Sequence, residues 1–476
     1  MNSVKKNFLY NLVYQVLQII LPLVTLPYIS KVLHADNVGV YTFTFSVANY
    51  FMLFAMLGVN NYGSRCIAKV RDSQEDKEKT FWSIYYAQLT TASISVIIYV
   101  GYIFCLDNGH QLIALMQIIY VISGLFDINW FFWGLEKFKV TITRNIVVKL
   151  ATVACIFLFV KSESDIYIYT LIMAIGALLG QIITWIYLKE YVNFKLPNYK
   201  ECIVHFKPLL VLFIPVIAIS MYKTMDKIMI GLLSDYAEVA YFSYSENIIA
   251  IPAVVTTALG AVTLPRISNL LVNGNKQIGE KYIEYSLQVA MFLSCAMGFG
   301  MGAVADFFVP IFFGSSFSKA TIIMQALFPT VIFTAWASII RTQYLIPNSK
   351  DNAYITSTIM GALINFTVNM ITIPKFGGLG AVVGTLLAEG TVAIYQTWIA
   401  KKDLNITKYV KANIIYLLAG IVMYVSVNLV GSYLEHSILN LIILICVGGI
   451  IYCCVCILYH FIRKTDIYIL LKQRRS

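Results

Sequence analysis

Charged residues are scarce in this sequence, because Asp, Glu, Lys and Arg together make up only 12% of its 476 residues. Histidine occurs five times, and the nine cysteines show no spacing with histidine that is typical of a metal site. Polar segments are short, which excludes a sizeable extramembrane domain. With 59% hydrophobic residues and a mean hydropathy of +0.76, the composition also excludes a soluble globular protein.

Long hydrophobic runs are instead the main feature of the chain. A helix needs about 20 residues to cross about 30 Å of hydrocarbon, and by that measure we predict about fourteen transmembrane helices. The predicted fold class is therefore an all-α, polytopic integral membrane protein. The predicted spans lie near residues 8–30, 40–61, 81–105, 111–133, 143–160, 165–188, 209–233, 239–264, 284–305, 319–340, 354–373, 379–400, 412–433 and 438–462.

Lys and Arg are distributed unevenly between the loops. One set of loops holds nearly all of them, whereas the other set holds only Lys31, Lys161, Lys319 and Lys375. By the positive-inside rule, the basic loops and both termini are cytoplasmic and the number of spans is even. The net charge of +11 thus indicates which loops are cytoplasmic, and no nucleic-acid partner is expected.

A weak internal repeat suggests two lobes. "VGVYT" at Val38–Thr42 aligns with "VAYFS" at Val239–Ser243, and Arg65 then aligns with Arg266. Transporters are often built from such repeats. We predict an N-terminal lobe of six spans (residues 1–206), a C-terminal lobe of six spans (residues 207–403), and two additional spans with a basic cytoplasmic tail (residues 404–476).

Three charged residues, Lys223, Asp226 and Lys227, interrupt the seventh predicted span in the segment "MYKTMDKIMIG". A charged side chain at the lipid-facing centre of a helix costs about 2.5–3.5 kcal/mol, so these three cannot face lipid. They share an arc of about 100° on one helix face, which we expect to line a bundle interior or a water-filled cavity. Two interpretations remain: a structural ion pair completed by a neighbour such as Glu246, or a positively charged cavity for an anionic headgroup.

Other polar residues in the spans extend this candidate site. Amides and aromatic rings bind sugars, and intramembrane carboxylates are candidates for proton or cation coupling. The predicted substrate-binding cavity contains Lys223, Lys227, Tyr222, Gln15, Gln18, Asn49, Tyr244 and Asn247. The ion-coupling candidates are Asp226, Glu246, Glu389 and Asp127, and the arginines expected at the cytoplasmic rim are Arg65, Arg144, Arg266 and Arg341. No catalytic residue, metal ligand or cofactor is predicted.

Four segments carry a resemblance to a known family. They are Leu21–Tyr41, Asp127–Asp165 with its Trp-x-x-x-Gly-x-Glu motif at Trp130, Gly134 and Glu136, Phe213–Ile248, and "LPRISNL" at Leu264–Leu270. In these segments, and over nearly the whole chain, the sequence resembles polysaccharide-repeat flippases of the Wzx type. These flippases belong to the multidrug/oligosaccharidyl-lipid/polysaccharide (MOP) exporter superfamily.

The resemblance implies a two-lobed fold like that of MATE and MurJ transporters. It also implies a flippase that moves an undecaprenyl-diphosphate-linked oligosaccharide across the bacterial cytoplasmic membrane by alternating access, with H⁺ or Na⁺ coupling. The cluster Lys223, Asp226 and Lys227 would line its central cavity, and the last two spans would form a groove for the long lipid tail. Membrane lipids and the polymerase and glycosyltransferases of a capsule or O-antigen pathway are the implied partners.

Three alternatives remain from the residues themselves. A flippase for a peptidoglycan or teichoic acid precursor would share the carrier diphosphate. A MATE-type drug or cation antiporter would share the fold, but excess lysines would repel a cationic drug. A membrane enzyme is disfavoured, because the acidic stretch "DSQEDKEK" at Asp72–Lys79 alternates in charge as a solvated loop does.

Overall fold

The computed structural model describes residues 2–105, 109–272 and 276–463, and within these ranges the chain is helical and contains no β-strand. The predicted all-α fold class is confirmed. The chain divides into two compact units, Met1–Ala240 and Tyr241–Ser476. The division is defined by contacts within each unit and does not test the predicted lobe limits at residues 206 and 403. Those limits remain predictions.

The described part of the first unit contains nine complete α-helices. The third begins after Ser73, whose hydroxyl accepts a hydrogen bond from the backbone N–H of Asp76 at 3.4 Å, as an N-cap does. The nine are α1 (Asn2–Met56), α2 (Val59–Val70), α3 (Gln74–Phe104), α4 (Gln111–Met116), α5 (Ile118–Ser123), α6 (Asn129–Gly134), α7 (Phe138–Phe159), α8 (Ile166–Leu188) and α9 (Tyr199–Leu233).

The first two predicted spans are joined by a corner within α1. His34 has φ 59° and ψ 174°, which interrupts the helical path, and its side chain is exposed. A second break separates α1 from α2 at Leu57 and Gly58, where φ is 40° and 77°. Glycine suits the left-handed backbone at position 58, because it has no Cβ to clash.

The fourth predicted span, residues 111–133, is not one helix. It consists of α4, α5 and α6, and residues 124–128 are not helical. At this break, Oδ1 of Asp127 accepts hydrogen bonds from the backbone N–H and the side-chain amide of Asn129, at 3.0 and 2.7 Å. The expectation of a continuous span is wrong here, because this local turn gives the backbone an alternative to the helix.

The second unit contains eight complete helices and most of a ninth, α10, which begins in the first unit. The helices, within the described residues, are α10 (Tyr236–Ile249), α11 (Ile251–Val272), α12 (Lys276–Phe313), α13 (Ser318–Leu327), α14 (Pro329–Ile340), α15 (Asp351–Phe376), α16 (Gly378–Ala400), α17 (Ile406–Gly431) and α18 (Ile438–Arg463). A five-residue π-helical turn, Arg341–Leu345, follows α14.

Two predicted spans of the second unit are also interrupted. The eighth, residues 239–264, breaks between α10 and α11, and the tenth bends by 44° between Ser315–Leu327 and Pro329–Leu345. Each new helix begins next to a proline, Pro252 in α11 and Pro329 in α14. Proline lacks a backbone N–H and is therefore favoured in the first turn of a helix and disfavoured later.

Many helices are long and apolar enough to cross a membrane. By length and composition, nine helices of the described residues meet this requirement, or ten if the bent pair is one span. The protein is therefore a multi-pass membrane protein. The count of fourteen spans remains a prediction.

Small residues allow close contact between helices. A Cβ added at Gly63 of α2 would lie 2.4 Å from the indole ring of Trp130 on α6, and one at Gly134 would lie 2.7 Å from the side chain of Ile67. In the second unit, a Cβ at Gly384 of α16 would meet the side chain of Asn369 at 2.0 Å. The Trp130 and Gly134 positions of the motif therefore pack α6 against α2.

Candidate functional site

The charged segment of the seventh predicted span lies on α9. Asp226 is buried, with 3% of its surface exposed, and Lys227 is half-buried. Both residues interact with other groups of the protein. The side chains of Tyr222 and Lys223, one turn earlier, lie outside the described residues. Asp226 thus places a carboxylate in the protein interior, where it needs compensating partners.

Helix α9 is packed closely against α1 around Asp226. A Cβ at Gly231 would lie 2.2 Å from the ring of Phe43, so the two helices approach as closely as a glycine permits. On the other side of Asp226, the hydroxyl of Tyr50 donates a hydrogen bond to the backbone carbonyl of Ser220 at 3.3 Å. The backbone that carries Asp226 is therefore held in place from both sides.

A second set of buried polar side chains in the first unit, called the polar group below, contains two of the predicted site residues. Arg144 on α7 is 5% exposed and Asp127 is 7% exposed. Nη2 of Arg144 donates to Oδ1 of Asn129 at 2.8 Å, and Asn129 donates to Asp127. Nη1 of Arg144 donates to Oε1 of Gln181 at 3.0 Å and to the carbonyl of Gly180. A buried guanidinium and a buried carboxylate are thus linked through a shared amide.

The same polar group extends toward α3, and a separate hydrogen bond joins α5 to α1. Nε2 of Gln88 donates to the carbonyl of Asp127 at 2.9 Å, and the indole N–H of Trp130 donates to Oε1 of Gln88 at 2.9 Å. The hydroxyl of Tyr120 donates to Oδ1 of Asn49 at 3.0 Å. Asn49, predicted as a sugar-binding residue, is therefore engaged by a neighbouring helix.

Sequence reasoning missed two of the residues that connect this polar group. Asn129 and Gln181 come from α6 and α8, and no spacing along the chain relates them. A local signal did exist for one of them, because Asp127 followed two residues later by Asn129 is typical of a side-chain-capped turn.

In the second unit, α10 carries three of the predicted site residues. Tyr244 is buried, and its ring centroid lies 4.9 Å from that of Phe317 and 5.2 Å from that of Phe313. Asn247 is exposed and Glu246 is half-buried, with interactions to other residues. The ring of Tyr244 is therefore packed in an aromatic cluster, whereas Asn247 is accessible.

Glu389 lies on α16 and is half-buried, with interactions to other residues. Helix α16 packs along α15, where the buried amides of Asn365 and Asn369 form a hydrogen bond of 3.2 Å. The structure thus places Glu389 on a helix that packs against a neighbour with buried amides on α15.

Arg341 begins the π-helical turn after α14. Its guanidinium carbon lies 5.3 Å from the ring centroid of Tyr354, which is a cation–π geometry. Two residues later, Gln343 is fully buried, and its amide donates to the hydroxyl of Thr263 on α11 at 2.8 Å. The turn therefore places a polar side chain in the interior, and π-helical turns are frequent at functional sites.

The remaining predicted residues fall into two groups. Arg65 is exposed on α2. The side chains of Gln15, Gln18 and Arg266 lie outside the described residues. Within the part of the chain that the structure describes, no cluster of three His, Cys, Asp or Glu side chains could hold a metal ion.

A polar cluster outside the spans fixes the segment between α8 and α9 to the start of α3. The carboxylate of Glu78 accepts from the backbone N–H of Asn193 at 3.1 Å, and the indole of Trp82 donates to the carbonyl of Asn193 at 2.7 Å. The Asn193 backbone bond holds the pKa of Glu78 below its usual value of 4.5. Lys79 and Glu201 pair at 2.8 Å, which raises the lysine pKa and lowers the glutamate pKa.

The fold matches solved transporters over most of the chain. A structure of the lipid II flippase MurJ is similar with a TM-score of 0.78, 17% identity, and coverage of 96% of this chain and 100% of that chain. An inward-facing MATE multidrug transporter of the MOP superfamily gives a TM-score of 0.61 at 14% identity, covering 83% of this chain and 99% of that one. The chain thus has the fold of these two structures, which confirms the expected MATE- and MurJ-like fold.

Sequence comparison identifies the family to which the chain belongs. Residues 4–271 match the family described as "polysaccharide biosynthesis protein", and the chain belongs to that family. A protein of Escherichia coli (strain K12) named as an O-antigen transporter is 25% identical over 400 residues, which cover 81% of this chain and 94% of the relative. A protein of Haloferax volcanii named as a flippase of low-salt glycan biosynthesis is 26% identical over 333 residues, or 68% of each chain. The resemblance to Wzx-type flippases is thus confirmed.

Proposed function

We propose that this protein is a flippase for a lipid-linked oligosaccharide, of the undecaprenyl-diphosphate type, in the cytoplasmic membrane of a bacterium. Membership of the polysaccharide biosynthesis family carries the proposal. Relatives named as an O-antigen transporter and a glycan flippase support it, as does the fold that the chain shares with a lipid II flippase.

Helix α9 carries two lysines whose positive charges suit the diphosphate of this cargo. A diphosphate carries several negative charges, and lysine is a good point-charge partner for phosphate. Lys227 is half-buried next to the buried Asp226, and Lys223 stands one turn earlier on the same helix. We propose that the two lysines bind the diphosphate while the lipid tail stays in the bilayer, and that alternating access then carries the headgroup across.

We propose that transport is coupled to H⁺ or Na⁺ through a carboxylate on a membrane helix. Asp226, Glu246 and Glu389 are the candidates, because each is buried or half-buried on a membrane helix. Asp127 is linked through Asn129 to the guanidinium of Arg144, which favours a positioning role for this carboxylate over ion binding.

The test is the leaflet in which the carrier-bound repeat is found. In cells whose only copy carries Lys223→Gln and Lys227→Gln, we expect lipid-linked repeats to stay in the cytoplasmic leaflet and surface polymer to be lost. Lys189→Gln, an exposed lysine outside the spans, is the matched control and should leave polymer unchanged. Normal surface polymer in the double variant, at normal protein level, would contradict the role of the lysines.

The phenotype of cells that lack the protein distinguishes the alternative cargoes. We expect loss of one surface polysaccharide with normal growth. Accumulation of a peptidoglycan or teichoic acid precursor in these cells would instead identify a precursor flippase. Unchanged lipid-linked intermediates together with increased sensitivity to cationic drugs would identify an antiporter.

A further inference from the structure

The second unit contains an apolar groove of about 410 Å³ that faces outward between four helices. Its wall is formed by α12, α14, α16 and α17, and α18 does not contribute to it. Residues such as Ile394 on α16, with 71% of its surface exposed, and Ile414 on α17, with 45% exposed, border the opening. The groove is therefore accessible from the side of the molecule that the spans present to lipid.

The groove ends at a cationic residue. Lys401, which follows the last residue of α16, is part of its lining, together with Trp398 one turn earlier. Nζ of Lys402 lies 5.9 Å from the ring centroid of Trp398. Tryptophan next to lysine at the end of a membrane helix is typical of the headgroup region of a bilayer.

The carboxylate nearest to Lys401 in the sequence, that of Asp403, bonds to other groups. Asp403 accepts a hydrogen bond from Nζ of Lys350 at 2.7 Å and another from the hydroxyl of Tyr344. Among the described residues, no ion pair or hydrogen bond involves the ammonium group of Lys401. Two other polar lining residues form hydrogen bonds within the wall: Thr397 accepts from the indole of Trp336 at 2.8 Å, and the amide nitrogen of Asn413 donates to the carbonyl of Tyr409 at 2.8 Å. The buried Oδ1 of Asn413 has no hydrogen-bond partner among the described residues.

The size of the groove limits the occupant. From Ala393 to Lys401 the wall extends about 12 Å along α16, which is less than half of the bilayer's hydrocarbon thickness of about 30 Å. One acyl chain within one leaflet fits these dimensions, whereas an undecaprenyl tail has several times as many carbon atoms.

We propose that this groove binds one acyl chain of an anionic phospholipid whose phosphate contacts Lys401. The positive-inside rule places Lys401 and Lys402 on the cytoplasmic side, where anionic lipids give the membrane surface a negative potential. The site is a resident lipid site on the second unit, separate from the charged segment of α9. An anionic phospholipid is thus a partner of the protein in addition to its cargo.

Native mass spectrometry of the full-length protein tests this proposal with three probes: phosphatidylglycerol, phosphatidylcholine with the same acyl chains, and undecaprenyl phosphate. We expect phosphatidylglycerol to be retained more strongly than phosphatidylcholine. Lys401→Gln should lower its affinity about fivefold, the effect of one lysine at an anionic surface. Lys375→Gln, an exposed lysine of α15 outside the groove, should have no effect.

A groove-filling variant makes the test independent of charge. Ile394→Trp should reduce binding of both phospholipids, whereas Ile371→Trp, at a position of α15 that is 62% exposed and outside the groove, should not. Both positions face outward, so neither change disturbs the packed interior. Equal retention of the two phospholipids, or equal effects of the variants and their controls, would overturn the proposal. The proposal would also be overturned if the protein retained undecaprenyl phosphate more strongly than phosphatidylglycerol and Ile394→Trp abolished that retention. The groove would then hold the carrier tail.

Discussion

The guanidinium of Arg144 and the side-chain carbonyl of Asn129 are joined by a hydrogen bond of 2.8 Å in the interior of the first unit. Through Asn129, which donates to Asp127 at 2.7 Å, this bond connects a buried positive charge with a buried negative one. The two charges come from α7 and from the break before α6, so their pairing fixes the broken fourth span to its neighbour.

Removal of Arg144 should destabilise the protein strongly. Arg144→Met removes the donor of the buried oxygens of Asn129 and Gln181, at a cost of about 1–3 kcal/mol for each, and leaves the Asp127 carboxylate without its nearby cation. The midpoint of unfolding in detergent, read from the monodisperse fraction after heating, measures this loss. Arg65→Met changes the same charge at an exposed site and should have little effect. The double variant Arg144→Met/Asp127→Asn tests the coupling of the two charges. If its loss of stability equals the sum of the losses in the two single variants, the charges are not coupled.

The contact between Gly63 and Trp130 should not tolerate a methyl group. A Cβ at Gly63 would lie 2.4 Å from the indole ring, so Gly63→Ala should destabilise the protein by about 1–3 kcal/mol through overpacking. Gly101 of α3 is the matched control, because no atom lies within 4 Å of a Cβ there. Gly101→Ala should be neutral or stabilise by up to about 1 kcal/mol, since alanine favours the helix. Equal thermal shifts for the two variants would disprove the packing argument.

The hydrogen bond between Gln343 and Thr263 should contribute to the stability of the π-helical turn. Thr263→Val keeps the shape of the side chain but leaves the fully buried amide of Gln343 without this acceptor, at a cost of about 1–3 kcal/mol. Thr257, exposed on the same helix with its hydroxyl bonded to the carbonyl of Ala253, is the control. Denaturation midpoints of Thr263→Val and Thr257→Val should differ. A transport assay of the same variants tells whether the turn serves only stability.

The segment between α8 and α9 should detach from α3 at acidic pH. The pKa of Glu78 is lowered below its usual 4.5 because the carboxylate accepts the Asn193 backbone N–H. A lowered folded-state pKa means that this attachment is fully present above pH 4.5 and is lost as the pH falls through the lower value. Exchange of the Asn193 amide, corrected for its intrinsic rate, should accelerate in that range. In Glu78→Gln, whose side-chain oxygen still accepts hydrogen bonds but does not titrate, protection should not change with pH in that range. An unchanged pH response in this variant would assign the effect to another group.

Much of the architecture could be predicted from hydrophobicity alone. Spans such as 438–462 and 379–400 correspond closely to α18 (Ile438–Arg463) and α16 (Gly378–Ala400), because a helix in lipid must be apolar over its full length. The interrupted spans could not be found in this way, since residues on both sides of a break are equally apolar. Pro252 and Pro329 were usable signals, but Pro310 and Pro374 lie inside helices, so proline by itself does not identify a break.

The candidate site was predictable only where its residues are close in the sequence. Asp226 and Lys227 were recognised because two charges in an apolar run are costly in lipid. The group formed by Asp127, Asn129 and Arg144 also includes Gln181, which is 37 positions from Arg144. Contacts of that separation depend on how the helices pack, and the sequence carries no period that reveals them.

The corner at His34 offers a starting point for engineering a more robust variant of this protein. A residue with a Cβ is held there at φ 59° and ψ 174°, a backbone region that is nearly exclusive to glycine and costs about 1–3 kcal/mol for other residues. Because the imidazole is exposed, few contacts would be lost on its removal. His34→Gly should therefore raise the melting temperature, which is the opposite of what glycine does elsewhere in a helix-rich chain.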